Sequence, residues 1–204
     1  MQQVVEPPPF EVVAVGSSAG GVEALHVVVE SLPARFPAAV VVVQHLDPHH
    51  ESVLARLLAR HARGAVRQAT HHEPLAPGTV SLAPPDQHLR VRAGRLELSH
   101  SAHIHFARPW VDLLFESVAA AYGARAIGVI LTGSGVDGAQ RIRAIKGSGG
   151  VTIAQDPSTA AHPGMPHAAC ATGCVDFTLP LERIGPILVE LVSRRRPHPG
   201  APWP

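Results

Sequence analysis

A chain of 204 residues with 46% hydrophobic and 16% charged side chains is long enough for one domain with a full core and too apolar for general disorder. Its formal charge of +1 gives no case for nucleic acid, which needs several clustered cations, and no stretch reaches the ~18 apolar residues of a membrane span. Cys170 and Cys174 are too few for a disulfide framework and lack the second pair that zinc would need, so a reducing, cytoplasmic setting is expected.

Met1 to Phe10 has neither the basic nor the apolar region of a secretory leader, and residues 1–9 are expected to be a flexible tail before a domain spanning 10–193. Phe10 to Val15 reads as a first buried strand, a short β-branched run ended by glycine. Gly16-Ser17-Ser18-Ala19-Gly20-Gly21 turns it into a helix from Gly21 to about Ser31, with Val22, Leu25, Val28 and Val29 on one face. Leu32-Pro33 stops that helix. Ala38 to Val43 is a second continuous apolar run, the mark of a strand covered on both faces of a parallel sheet, and Gln44-His45 stands at its end. Ser52 to His61 has helical spacing, Val66 to Gln68 starts a third strand, and Thr79 to Leu82 is apolar inside the turn-rich segment Pro74 to Pro85. Leu89 to Val91 and Arg95 to Leu98 flank Ala93-Gly94 as an antiparallel hairpin.

Pro109 or Trp110 opens a helix to about Tyr122 that buries Val111, Leu114, Phe115 and Val118. Ala126 to Leu131 is the third strong strand, followed by Thr132-Gly133-Ser134-Gly135-Val136-Asp137-Gly138 and a helix from Ala139 to Lys146. Val151 to Ala154 is a further strand ending at Gln155-Asp156. Gly164-Met165-Pro166 precedes a helix towards Thr172, Val175 to Thr178 is a last strand, and Leu181 to Val192 a closing helix. Residues 194–204, with the basic run Arg194-Arg195-Arg196 among prolines, are expected to be a second flexible, solvated tail. Strands alternating with helices predict an α/β fold: a doubly wound, mostly parallel sheet with an antiparallel hairpin insertion.

In such sheets ligands bind beyond the carboxyl ends of the strands. Ser18, His45 and Asp137 each follow a predicted buried strand, so all three are expected at one edge. Gly16-x-Ser18-x-Gly20 has the spacing of a nucleophile elbow, in which glycines relieve the strain of a tight turn under a reactive hydroxyl. A serine hydroxyl needs a base to take its proton, and an imidazole needs a carboxylate to fix its tautomer. The order Ser18, His45, Asp137 differs from the nucleophile, acid, histidine order of the α/β-hydrolase fold. Plainer roles stand beside these: Ser17 is the alternative hydroxyl, His45 a satisfied strand-end histidine, and Asp137 a cap for the helix after Gly138-Ala139. Among fourteen histidines, His100, His103 and His105 and the pairs His49-His50 and His71-His72 show no zinc-ligand spacing, so no metal is expected.

Seven motifs carry a resemblance. Val15-Gly16-Ser17-Ser18-Ala19-Gly20-Gly21, Val43-Gln44-His45, Leu82-Ala83-Pro84-Pro85, Arg108-Pro109-x-Val111-Asp112-x-Leu114-Phe115, Leu131-Thr132-Gly133-x-Gly135-x-Asp137-Gly138-Ala139, Ala154-Gln155-Asp156 and Gly164-Met165-Pro166 are similar, in this order, to the motif series of the bacterial chemotaxis protein-glutamate methylesterases. The resemblance spans roughly Val12 to Val192. It implies a Rossmann-like catalytic domain that hydrolyses γ-glutamyl methyl esters on the cytoplasmic helices of methylated chemoreceptors, and in some members deamidates receptor glutamines. No cofactor, nucleic acid or membrane insertion is implied, and chemosensory kinase or methyltransferase partners are.

By motif position Ser18 would be the nucleophile, His45 the general base and Asp137 the orienting acid. Backbone amides of Ala19 and of the Gly133 to Gly135 loop are the candidate oxyanion donors. His88 and Arg108 are candidate rim or loop-stabilising residues, and Met165 either approaches the site or packs in the core. The family's best-known members carry an amino-terminal phospho-receiver domain. With only nine residues before the first predicted strand, a stand-alone catalytic domain is expected here. Ala19 stands where many relatives have threonine, Ser134 where many have methionine, Trp110 in place of a small residue, and Gln140-Arg141 where another glycine is common. These departures are expected to alter the pocket lining and the local helix start, not the three site residues. Two rivals remain: a non-catalytic signalling or receptor-binding module of the same fold, and a nucleotide-binding domain. Against the latter, Ser18 holds the place of the second glycine of G-x-G-x-x-G, and His45 ends the second strand where an acidic residue would.

Overall fold

The computed structural model describes residues 10–45, 52–100 and 109–193. The two expected tails, the basic run, His49-His50, His103, His105 and Arg108 lie outside the described residues. In chain order the elements are β1 (Val12–Ser17), α1 (Gly21–Ser31), β2 (Ala39–Gln44), α2 (Leu54–Ala59), β3 (Ala65–Gln68), β4 (Thr79–Leu82), β5 (His88–Arg92), β6 (Arg95–Ser99) and α3 (Val111–Tyr122). They continue with β7 (Ala126–Ile130), α4 (Ala139–Gly147), β8 (Val151–Gln155), α5 (Gly164–Ala171), β9 (Phe177–Leu179) and α6 (Leu181–Ser193).

Seven strands form one sheet in the order β3-β4-β2-β1-β7-β8-β9, every neighbour parallel, while β5 and β6 form a separate antiparallel hairpin. Every position of β1 and β2 is buried, because helices cover both faces. Successive side chains alternate between the two layers. Val13, Val15, Val40 and Val42 join Leu25 and Val28 of α1 and Ile184 and Leu188 of α6. Val12, Ala14, Val41 and Val43 join Leu114 and Phe115 of α3 and Ile142 and Ile145 of α4 on the opposite face. The hairpin docks on α3, where Val91 N donates to Ser117 Oγ at 3.0 Å. This is the predicted doubly wound, Rossmann-like α/β architecture with its hairpin insertion.

Several boundaries shift by one or two residues from expectation, β1 to Val12–Ser17 and α2 to Leu54–Ala59 among them, and two differences have a clear physical reason. The last strand is Phe177–Leu179 rather than Val175 to Thr178, because Asp176 is occupied with Thr152: Asp176 Oδ2 accepts from Thr152 N at 2.9 Å and Asp176 N donates back to Thr152 O at 2.9 Å. The ladder with β8 therefore begins one residue later, at Ile153 opposite Phe177. Gly164-Met165-Pro166 forms the first turn of α5 instead of preceding it, and Pro166 is tolerated there since first-turn amides have no intrahelical acceptor.

β1 lies between β2 and β7: the chain first builds β2, the edge strand β3 and, between them, β4 on one side, then crosses back to β7 and continues outward through β8 and β9 on the other. The loops leaving β1 and β7 diverge at the carboxyl edge. That divergence opens the switch-point crevice where such sheets hold ligands.

Candidate active site

β1 ends at Ser17, and Ser18 opens the turn into α1, with Gly21 N donating to Ser18 O at 2.8 Å. The left-handed residue of this turn is Gly20 (φ 73°), not Ser18. Gly16 serves a different purpose: a Cβ there would overlap the Val111 side chain at the start of α3. The elbow spacing thus marks a real turn, but neither glycine relieves strain at Ser18 itself.

β2 runs in register with β1, pairing Gln44 with Ser17, and His45 N donates to Ser17 O at 3.2 Å. The next residue on each strand therefore faces the other across the sheet edge. His45 Nδ1 lies 3.2 Å from Ser18 Oγ, and His45 Nε2 lies 2.8 Å from Asp137 Oδ2. The side chains of His45 and Asp137 are 23% and 11% exposed, so the pair is shielded but reachable. With the carboxylate accepting from Nε2–H, Nδ1 is left as the acceptor facing the Ser18 hydroxyl.

Asp137 caps a helix, but not the expected one. Its Oδ2 accepts from Val111 N at 2.7 Å and its Oδ1 from Asp112 N at 3.0 Å, so it caps α3, while the N-cap of α4 is Gly138. Asp112 returns the favour across the gap, with Oδ1 accepting from Arg141 N of α4 at 3.0 Å. Burial first, and then the Asp137 charge, pushes the Asp112 carboxyl up to about 6, against the downward pull of the Arg141 and Gly138 amides and the Arg141 charge.

Ser17, the alternative hydroxyl, is fully buried and donates to Gln44 Oε1 at 2.7 Å. Gln44 Nε2 in turn donates to Ser18 O at 2.8 Å and His45 O at 2.9 Å, clamping the two backbones that carry the Ser18–His45 pair. A matching clamp closes β8. Gln155 Oε1 accepts from Thr132 N at 2.9 Å, and Gln155 Nε2 donates to Thr159 O at 3.1 Å. Thr132 Oγ1 then donates to Ala19 O at 3.0 Å. Gln44, Gln155, Thr132 and Asp112 were not singled out from sequence as site residues. For the two glutamines the available signal was their place at the ends of the apolar strands β2 and β8, since a polar side chain at the end of a fully covered strand must find buried partners.

Of the candidate oxyanion donors, Gly133 is committed elsewhere, its amide donating to His162 O at 2.9 Å. Among the described residues the amides of Ala19 and Ser134 have no backbone acceptor. Met165 is fully buried and lies behind Gly133: a Cβ at Gly133 would overlap Met165 Sδ and come within 2.9 Å of Ser18 Cβ. Met165 thus packs as core and also backs the loop facing Ser18. His88 is fully buried in β5, which corrects its rim reading. Ser134, a departing position, and His162, which the sequence reading passed over, are exposed at the rim, with Ser134 Oγ 3.5 Å from His162 Nδ1. Trp110, Gln140 and Arg141, three of the departing positions, line one surface groove with Asp112, Leu113 and Val136. His71 Nδ1 accepts from Leu98 N at 3.0 Å, and His100 faces Asp86 at 3.9 Å.

Fold and contact chain together define a Rossmann-like α/β protein whose switch-point crevice brings a serine hydroxyl, an imidazole and a carboxylate into contact. The chain belongs to the CheB methylesterase family, whose model matches residues 13–188. It is 45% identical over 181 residues to a protein-glutamate methylesterase/protein-glutamine glutaminase of Anaeromyxobacter dehalogenans, covering 89% of this chain and 53% of that protein. It is 41% identical to the protein-glutamate methylesterase FrzG of Myxococcus xanthus, covering 92% and 56%. A putative member from Leptospira interrogans is 35% identical, covering 89% of this chain and 95% of its own length. The crystal structure of the Thermotoga maritima CheB methylesterase catalytic domain superposes with a TM-score of 0.85 at 37% identity, over 90% of this chain and 99% of that one. The chain thus spans about half the length of the first two relatives. No described helix is long and apolar enough to cross a membrane.

Proposed function

We propose that this chain is a cytoplasmic protein-glutamate methylesterase that hydrolyses γ-glutamyl methyl esters on the helices of methylated chemoreceptors, with receptor glutamine amides as a second substrate class. The observation that carries the reading is the continuous contact from Ser18 Oγ through the His45 ring to Asp137 at the switch-point crevice. Ser18 Oγ attacks the ester carbonyl as His45 Nδ1 takes its proton, and Asp137 stabilises the imidazolium through Nε2–H. The amides of Ala19 and Ser134 receive the oxyanion of the tetrahedral intermediate. Collapse breaks the bond to the methoxy oxygen, and His45 returns the proton so that methanol leaves. Water, deprotonated by His45, then attacks the acyl-serine, releasing the glutamate side chain and restoring Ser18. The steps use neither metal nor cofactor.

Methanol release from methylated chemoreceptor tests this, comparing the intact protein with Ser18→Ala. Turnover is expected to fall on the order of 10⁶-fold in the variant. An unchanged rate would remove Ser18 from the nucleophile role. No release by the intact protein, together with no labelling by a serine-directed fluorophosphonate, would leave a non-catalytic receptor-binding module.

A further inference from the structure

The carboxylates at the starts of α3 and α4 exchange caps. Asp137, in the loop before α4, accepts from the first two amides of α3, and Asp112, in the first turn of α3, accepts from the Arg141 amide of α4. Because Asp137 Oδ2 also holds His45 Nε2, the position of the imidazole is fixed through this exchange. Asp112 thus stands one carboxylate away from the ring, on the side opposite Ser18. We infer that Asp112 is a positioning residue for the His45–Asp137 pair: its cap holds the loop that carries Asp137, and its negative charge strengthens the hold of the imidazole on a proton. The inference deepens the esterase reading and rests on it for its catalytic consequence.

The charged groups around Asp112, among the described residues, can be named. Asp137 faces it from the loop after β7, with His45 beyond, Arg141 faces it from α4, and Glu116 lies one turn along α3, 3.9 Å from Arg141 Nε. Arg141 is the cation of this group, and it is shared with Glu116, so the ionised Asp112 is incompletely neutralised. A second negative charge behind Asp137 favours the imidazolium, as any neighbouring anion does. Asp112 gains its charge near pH 6, so the negative charge it adds behind Asp137 grows as pH rises through that value.

Asp112→Asn separates the two roles, since an asparagine oxygen still accepts from the Arg141 amide but carries no charge. In kcat/KM for methyl-ester hydrolysis between pH 5 and 9, D112N should move the acid limb to lower pH by about half a unit, with a loss of about twofold at the plateau as the base weakens. Asp112→Ala should show the same displacement and a lower melting temperature besides. A profile for D112N that superimposes on the wild type overturns the charge role, and a purely structural residue would give that result. Should the wild-type chain hydrolyse no ester, the esterase reading fails by itself. NMR titration of the His45 ring then still decides the inference: a lower midpoint in D112N supports it and an unmoved one refutes it.

Discussion

Gln44 is the residue whose loss most directly separates the fold from the site. In Gln44→Leu the side chain keeps its approximate volume, and the position is 4% exposed, so water does not replace the missing amide. Three hydrogen bonds disappear: from Ser17 Oγ at 2.7 Å, to Ser18 O at 2.8 Å and to His45 O at 2.9 Å. At about 1 kcal/mol net for each, the direct loss is ~3 kcal/mol. Ser18 O keeps its bond from Gly21 N, but the fully buried Ser17 hydroxyl is orphaned, adding about 1–3 kcal/mol. Burial of extra apolar surface by leucine offsets about 1 kcal/mol, leaving a net cost of roughly 3–5 kcal/mol. The backbones of Ser18 and His45 also lose their common tether, and a displacement of about 1 Å between reacting groups costs on the order of 10²-fold in rate. Urea unfolding should show a lower midpoint at unchanged slope, and methyl-ester turnover should fall 10- to 100-fold. In Ser17→Ala/Gln44→Leu the orphaned hydroxyl is gone, so at least ~1 kcal/mol should return while turnover stays low. A single Gln44→Leu cost below about 1 kcal/mol, or a double variant no more stable than the single, would refute the clamp.

Gly133→Ala should nearly abolish turnover and fluorophosphonate labelling, because the added Cβ overlaps Met165 Sδ and approaches Ser18 Cβ at 2.9 Å. Adding Met165→Ala relieves only the first clash, and full recovery of labelling would show that Ser18 is not crowded. For Asp112, raised from 3.8 to about 6, the native state holds a proton that the unfolded chain has already lost, so this group's contribution to stability is complete below about pH 4 and disappears as pH rises through 6. The shift is nominally worth ~3 kcal/mol, and the half-buried carboxyl beside an open groove should retain about 1 kcal/mol after screening. The stability difference between wild type and D112N should therefore fall by about that amount from pH 4 to pH 7, and a flat difference in urea titrations would contradict it.

Legibility followed burial. β1, β2 and β7 are covered on both faces, so each appears in the sequence as an unbroken apolar run, and the residues after β1 and β2 were placed at the sheet edge without coordinates. β9 was misplaced because its pattern is weak, half-buried at Phe177 and Leu179 and exposed at Thr178, and its start depends on a side-chain contact with Thr152 across the sheet. The reading of Asp137 as a cap was right in kind and wrong in target. Local spacing sees only the helix that follows, whereas the amides it satisfies belong to residues 26 and 25 positions earlier. Ser17 shows the same limit: its place beside Ser18 makes it the alternative hydroxyl, and nothing local shows that its partner is Gln44 of β2.

These long-range polar contacts explain how a site can be rigid on loops. Ser18, His45 and Asp137 all lie outside regular elements, where few apolar contacts hold the backbone. Each is instead fixed by buried polar groups reaching from a strand or helix end: Gln44 on the backbones of Ser18 and His45, Thr132 on Ala19, and the α3 amides on Asp137. A buried polar network is costly when any member is missing, so it tolerates one arrangement where an apolar contact would tolerate several. That intolerance would suit the proposed acyl transfer, in which the 3.2 Å between Ser18 Oγ and His45 Nδ1 would have to shorten for proton transfer without the ring turning away from Asp137. Trp110, Gln140 and Arg141 line the outer groove and Ser134 the exposed rim, whereas Ala19 lies within the network, its carbonyl accepting from Thr132 Oγ1.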